Sequence, residues 1–154
     1  MSVEDFEPLQ KEIIEKRGCG STVCEIKSRS SMETFPDVDE ITQFVNGIGF
    51  KADVNDWIEI RKEDAIKITS RILTADLAYD VEILPLAEAQ SLSTQFLNLF
   101  TDSATFLTNG VFTAGERYEV DLRAWNPISP ATFNAGIVCG SKALLGIIWV
   151  EDED

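Results

Sequence analysis

The sequence predicts an α+β fold: a mostly antiparallel sheet, with hairpins in the C-terminal third, packed against about four helices from the N-terminal two-thirds. Three observations carry this. Four segments before Thr101 carry apolar stripes at helical spacing. From Arg117 to Ala124 apolar and polar residues alternate with the period of a strand. Turn signals such as Asn109-Gly110 and Asn126-Pro127 separate the later segments.

Residues 3–17 read as a helix, with Phe6, Leu9, Ile13 and Ile14 on one face and Gly18 as its stop. A short strand is expected at 23–27, followed by a polar connector. Asp37 is placed to cap a second helix, with Glu40 at the capping-box position and Ile41, Phe44 and Val45 as its apolar stripe. Gly47 and Gly49 end it. A strand pair is expected at 48–52 and 57–61, turning through residues 54–56. Residues 63–73 form a third helix by the same periodicity. Leu77, Tyr79, Val81 and Ile83 then alternate with polar residues, which predicts a half-buried strand. Pro85 opens a fourth helix with Leu86, Ala89, Phe96, Leu99 and Phe100 inward.

In the last third, Asn109-Gly110 predicts a hairpin between 104–108 and 111–113. Residues 117–124 alternate cleanly, and the face carrying Arg117, Glu119, Asp121 and Arg123 is expected to pair its own charges in solvent. Residues 137–139 and 143–150 form a last hairpin, whose second arm is apolar on both faces and belongs at the centre of the sheet. No repeat or boundary divides the chain, so residues 1–154 read as one domain, with 151–154 a solvated acidic tail.

Charge narrows the functional classes. Acidic residues outnumber basic ones 27 to 13, the formal net charge is −14, the isoelectric point is near 4.3, and there is no histidine. Such a surface repels nucleic acid and anionic membranes and favours salt-sensitive encounter with something basic. Without imidazole, histidine-based triads and cysteine–histidine pairs are excluded. No apolar run is long enough to span a membrane, and the N-terminal residues do not resemble a signal peptide. With three cysteines, an odd number, a reducing cytoplasmic setting is expected.

The remaining motifs fail on context. Gly47-Ile48-Gly49-Phe50-Lys51-Ala52 has the spacing of a dinucleotide fingerprint, but a helix precedes it, whereas the phosphate needs a helix that follows. Asp53-Val54-Asn55-Asp56 begins like a calcium loop, but Trp57 and Ile58 occupy positions that require an oxygen ligand and a glycine. Cys19, Cys24 and Cys139 could offer three thiolates, but no histidine is available as a fourth zinc ligand, and a carboxylate in that place is rare. No cofactor and no metal is expected.

The expectation is therefore an acidic protein-binding domain, a monomer or weak dimer, that recognises a basic protein. Its most concrete form is an immunity or inhibitor protein that blocks a basic bacterial toxin, such as a nuclease, by charge and shape. The residues that point to this are Asp37, Asp39 and Glu40 at the second helix, Asp53 and Asp56 around the aromatic Trp57, and Glu151 and Asp152 near the end. A small enzyme using paired carboxylates or a metal is the alternative. A further alternative is an oligomeric adaptor that uses residues 89–115, where Asp102 is the one charged residue.

Overall fold

Glycine, proline and an acidic cap set several of the helix ends in the computed structural model, which describes residues 3–30 and 33–153. A 3₁₀ turn at Val3–Phe6 leads into α1 (Glu7–Arg17), so the α-helix begins later than its periodicity suggests. Gly18 closes it in a left-handed conformation, φ 42°. After β1 (Ser21–Ser28), α2 (Val38–Ile48) starts where Asp37 accepts the Glu40 N–H at 2.8 Å. The returning half of that capping box is absent, because Arg29 holds the Glu40 carboxylate in a two-pronged pair at 2.7 and 2.8 Å.

No strand forms at 48–52. The Asn46 side chain exchanges hydrogen bonds with the Ala52 backbone at 2.7 and 3.0 Å, and the Lys51 N–H donates to the Ile128 carbonyl at 2.8 Å. Backbone groups that a sheet ladder needs are thereby satisfied elsewhere. A 3₁₀ turn at Val54–Asp56 leads to β2 (Ile58–Ile60), α3 (Lys62–Thr74) and α4 (Leu86–Leu97). Then come β3 (Thr105–Thr108), β4 (Gly110–Ala114), β5 (Val120–Trp125), β6 (Phe133–Gly140) and β7 (Leu144–Asp152).

The strands form a five-stranded sheet in the order β1-β7-β6-β3-β2 and a separate β4-β5 ribbon. Each pairing within them is antiparallel, and β7 lies inside the sheet between β1 and β6, as its two-faced apolar character requires. Helices α1, α3 and α4 cover one face, and α2 with the 49–57 segment covers the other. Alternation along β7 serves both layers: Ile148 and Val150 pack into the α1/α3/α4 core, Ile147 and Trp149 into the α2 core. Trp149 fits because its partner across the ladder is Gly136, where a Cβ would sit 2.7 Å from the indole.

Two expectations about the chain path are overturned. Asn109 makes no hairpin: neither it nor Gly110 has the positive φ that a tight hairpin turn demands. Asn109 is buried, its amide donates to the carbonyls of Asn126 (2.9 Å) and Asn134 (3.0 Å), and its own carbonyl accepts the Asn126 N–H. The chain therefore runs straight on from β3 and changes sheets. Residues 77–83 form no strand either; a single bridge, Ala75 to Glu82, is all that pairs. The β5 face also differs from its reading. Asp121 pairs with Arg71 of α3 at 2.9 Å, and Arg123 bonds Thr113 and the Ala114 carbonyl.

Candidate functional site

The carboxylates singled out by sequence separate into two groups on the α2 side and a pair at the end of β7, one of which is buried. Asp37, Asp39 and Glu40 stand at the start of α2. Asp37 caps the helix and Glu40 pairs with Arg29, whose side chain is nearly sealed from solvent and whose charged form both acids favour, Glu40 most strongly. Asp39 is exposed and has no partner among the described residues. Exposed Phe35 and Val38 lie beside these acids.

Asp53 and Asp56 cap the 3₁₀ turn reciprocally: the Asp53 N–H donates to Asp56 Oδ2 at 2.8 Å, and Asp53 Oδ1 accepts the Asn55 N–H. Val54 is exposed between them. Trp57 is half-buried; its indole N–H donates to Thr42 Oγ1 of α2 at 2.9 Å, and its ring meets Trp149 edge-on at 6.0 Å. The α2 acids and the turn acids thus belong to one layer, linked through Trp57.

The chain end departs from the expected solvated tail. Glu151 and Asp152 are the last residues of β7. Asp152 is 2% exposed and grips Arg17 with both oxygens, at 2.7 and 2.8 Å; the same carboxylate accepts the Leu77 N–H at 2.8 Å. It offers nothing to a partner, because leaving Arg17 unpaired in the core would be too costly. Glu151, on the opposite side of the strand, accepts a hydrogen bond from Ser129 at 2.7 Å and is half-buried. Only Glu153 is exposed, and it accepts the Thr132 N–H at 3.1 Å; Asp154 lies outside the described residues.

The loop between α3 and α4 holds what the sequence reading missed. Asp76, buried after α3, accepts the backbone N–H groups of Ala78, Tyr79 and Val81 at 3.1, 2.7 and 2.7 Å. Asp80 at the tip has a left-handed backbone, φ 56°, and pairs with Arg71. Tyr79 and Val81 on either side of it point away from the core. The apolar alternation that suggested a strand is the same signal. Only the aspartate before it hints that the backbone is captured locally.

Elsewhere, an open groove of about 1190 Å³ lies between β2, the start of α3 and residues 98–106. It collects Glu59, Glu63, Asp64 and Asp102, but Arg61 pairs with Glu63 and Asp64, and Lys62 with Asp102. No group of three metal-ligating side chains is placed to hold an ion among the described residues. Burial pushes the Cys24 thiol up to about 12 and the Cys139 thiol well above its usual range, so neither is an activated nucleophile. In the 89–115 stretch, where Asp102 is the one charged residue, the apolar side chains Ala89, Leu92, Phe96, Leu97, Phe100, Phe106 and Leu107 are buried, while Val111 is exposed. No described helix is long and apolar enough to cross a membrane. No family model, no curated protein and no solved structure matches the chain.

Proposed function

We propose that this chain is an acidic recognition domain that binds a basic protein, and that it serves as an inhibitor or immunity protein which blocks a basic toxin, such as a nuclease. The observation that carries the reading is the α2-side layer, where exposed carboxylates alternate with exposed apolar side chains. Asp37 and Asp39 flank Val38 near Phe35, and Asp53 flanks Val54. Negative charge draws a cationic partner in and orients it; the apolar groups between hold it once water is expelled. A nuclease surface is positive because it binds phosphates, so an acidic cover both attracts it and occupies its site.

The test is kinetic. Any basic toxin found encoded next to this chain's gene is to be co-expressed with it and then assayed for association in solution. Host cells are expected to survive, and the association rate is expected to fall about tenfold or more as salt rises from about 20 to 150 mM, because exposed charges are screened within about 8–10 Å. Reversing charge with Asp39→Lys and Asp53→Lys is expected to slow association at low salt and flatten its salt dependence. A rate that ignores salt and both reversals sinks the reading.

A further inference from the structure

We propose that Tyr79 and Val81, at the tip of the loop between α3 and α4, are an apolar anchor by which the molecule grips a basic protein partner. This rests on the reading above and supplies a defined point of contact that charge alone does not. Tyr79 and Val81 are 66% and 62% exposed, the highest values among the large hydrophobic residues described. A connector between two helices has no need of apolar side chains at its tip, where polar ones avoid an unfavourable exposure to water.

The tip is held firmly from below. Asp76 is 6% exposed, and its three backbone hydrogen bonds set the path through Ala78, Tyr79 and Val81. Arg71, 3% exposed, clasps Asp80 with one nitrogen, Asp121 of β5 with a second, and donates to the Ala75 carbonyl with a third. Its guanidinium also lies 4.8 Å from the centre of the Tyr118 ring. Buried Arg71 and Asp76, with half-buried Asp121 of β5, thus fix the backbone that carries two exposed apolar side chains. Such preorganisation lowers the entropy lost on binding.

The surroundings select the occupant. Asp80 and Glu82 border the tip, and the 115–119 segment beside it carries exposed Glu116 and Glu119. Two cations lie close by: Arg71 pairs with Asp80 from below, and Arg117 lies 5.2 Å from the Tyr118 ring and donates to the Asp80 carbonyl at 3.4 Å, which leaves Glu82, Glu116 and Glu119 as the rest of the rim. An apolar centre within an acidic rim matches an apolar pocket bordered by Lys and Arg. A second copy of this chain would bring the same acidic rim against it and is disfavoured by like charge.

The probe is a phage-displayed library of random peptides, panned against the full chain at low salt. Selected peptides are expected to carry Lys or Arg around an aromatic or aliphatic residue. They are expected to bind about tenfold or more weakly to the Tyr79→Ala, Val81→Ala double variant, whose melting temperature stays unchanged because both side chains are exposed. Basic peptides that bind the double variant undiminished but lose affinity for the Asp39→Lys, Asp53→Lys variant overturn the tip as anchor and leave the charge reading standing. A selection that yields no peptide dependent on the tip overturns it as well. Peptides without any excess of Lys and Arg overturn the charge reading itself.

Discussion

Arg17 and Asp152 meet where solvent reaches neither: their side chains are 0% and 3% exposed. The pair persists because every strong donor and acceptor around it is used, with Arg17 also donating to the Ile72 and Cys19 carbonyls. Removing one partner strands a buried charge, so Asp152→Ala is expected to cost about 3–5 kcal/mol in urea unfolding. Replacing both with apolar residues, Arg17→Met with Asp152→Leu, is expected to recover most of that loss. The thiol of Cys24 makes a second prediction. Burial disfavours its thiolate, so its folded value of about 12 lies above the unfolded value of 9.0. The folded state then binds more protons than the unfolded one between those values, and stability falls as pH rises. The contribution is complete below about pH 9 and is lost by about pH 12. Cys24→Ala is expected to flatten the alkaline decline in melting temperature; an unchanged slope contradicts this. None of this was visible in sequence, where Asp152 is one acid among four in a row and Cys24 one of three thiols.

Local signals read at the scale of the element were sound where the chain answers to its neighbours. Asp37, Gly18, Gly49 and Pro85 mark helix ends as their chemistry dictates. The readings failed where a side chain reached out of its own segment. Asn109-Gly110 carries a hairpin signature, yet the Asn109 amide is drawn to Asn126 and Asn134, and the strand continues into the ribbon. Residues 77–83 alternate like a strand, yet Asp76 takes the N–H groups that a ladder would use. Asp76→Ala is therefore expected to release that loop, raising amide hydrogen exchange at Ala78, Tyr79 and Val81 while α3 stays protected, and to cost about 1–3 kcal/mol. Exchange that rises equally throughout α3 would show that the aspartate supports the whole layer instead.

One sheet joins two cores in the molecule as a whole, and β6 and β7 contribute side chains to both. Loss of either layer exposes the opposite face of the same strands, so both are expected to unfold together. The α2 layer contains Trp57 and Trp149, whereas α1, α3 and α4 lie on the other face. Tryptophan fluorescence and far-UV circular dichroism are thus expected to give the same denaturant midpoint. Two separated midpoints would mean that the layers melt independently.

Periodicity, caps and composition by themselves determined the α+β class, the bias of helices to the first part of the chain and of strands to the last, the interior place of β7 and the strong negative charge, because each depends on residues close together in the chain or on their totals. Only the tertiary structure decided which carboxylates stay exposed. Asp152 disappears into a pair with a residue 135 positions away, while Tyr79 and Val81, which read as half-buried, emerge at the surface. The physical reason is that burial of a charge or an apolar group is settled by what packs over it, and here that comes from distant parts of the chain.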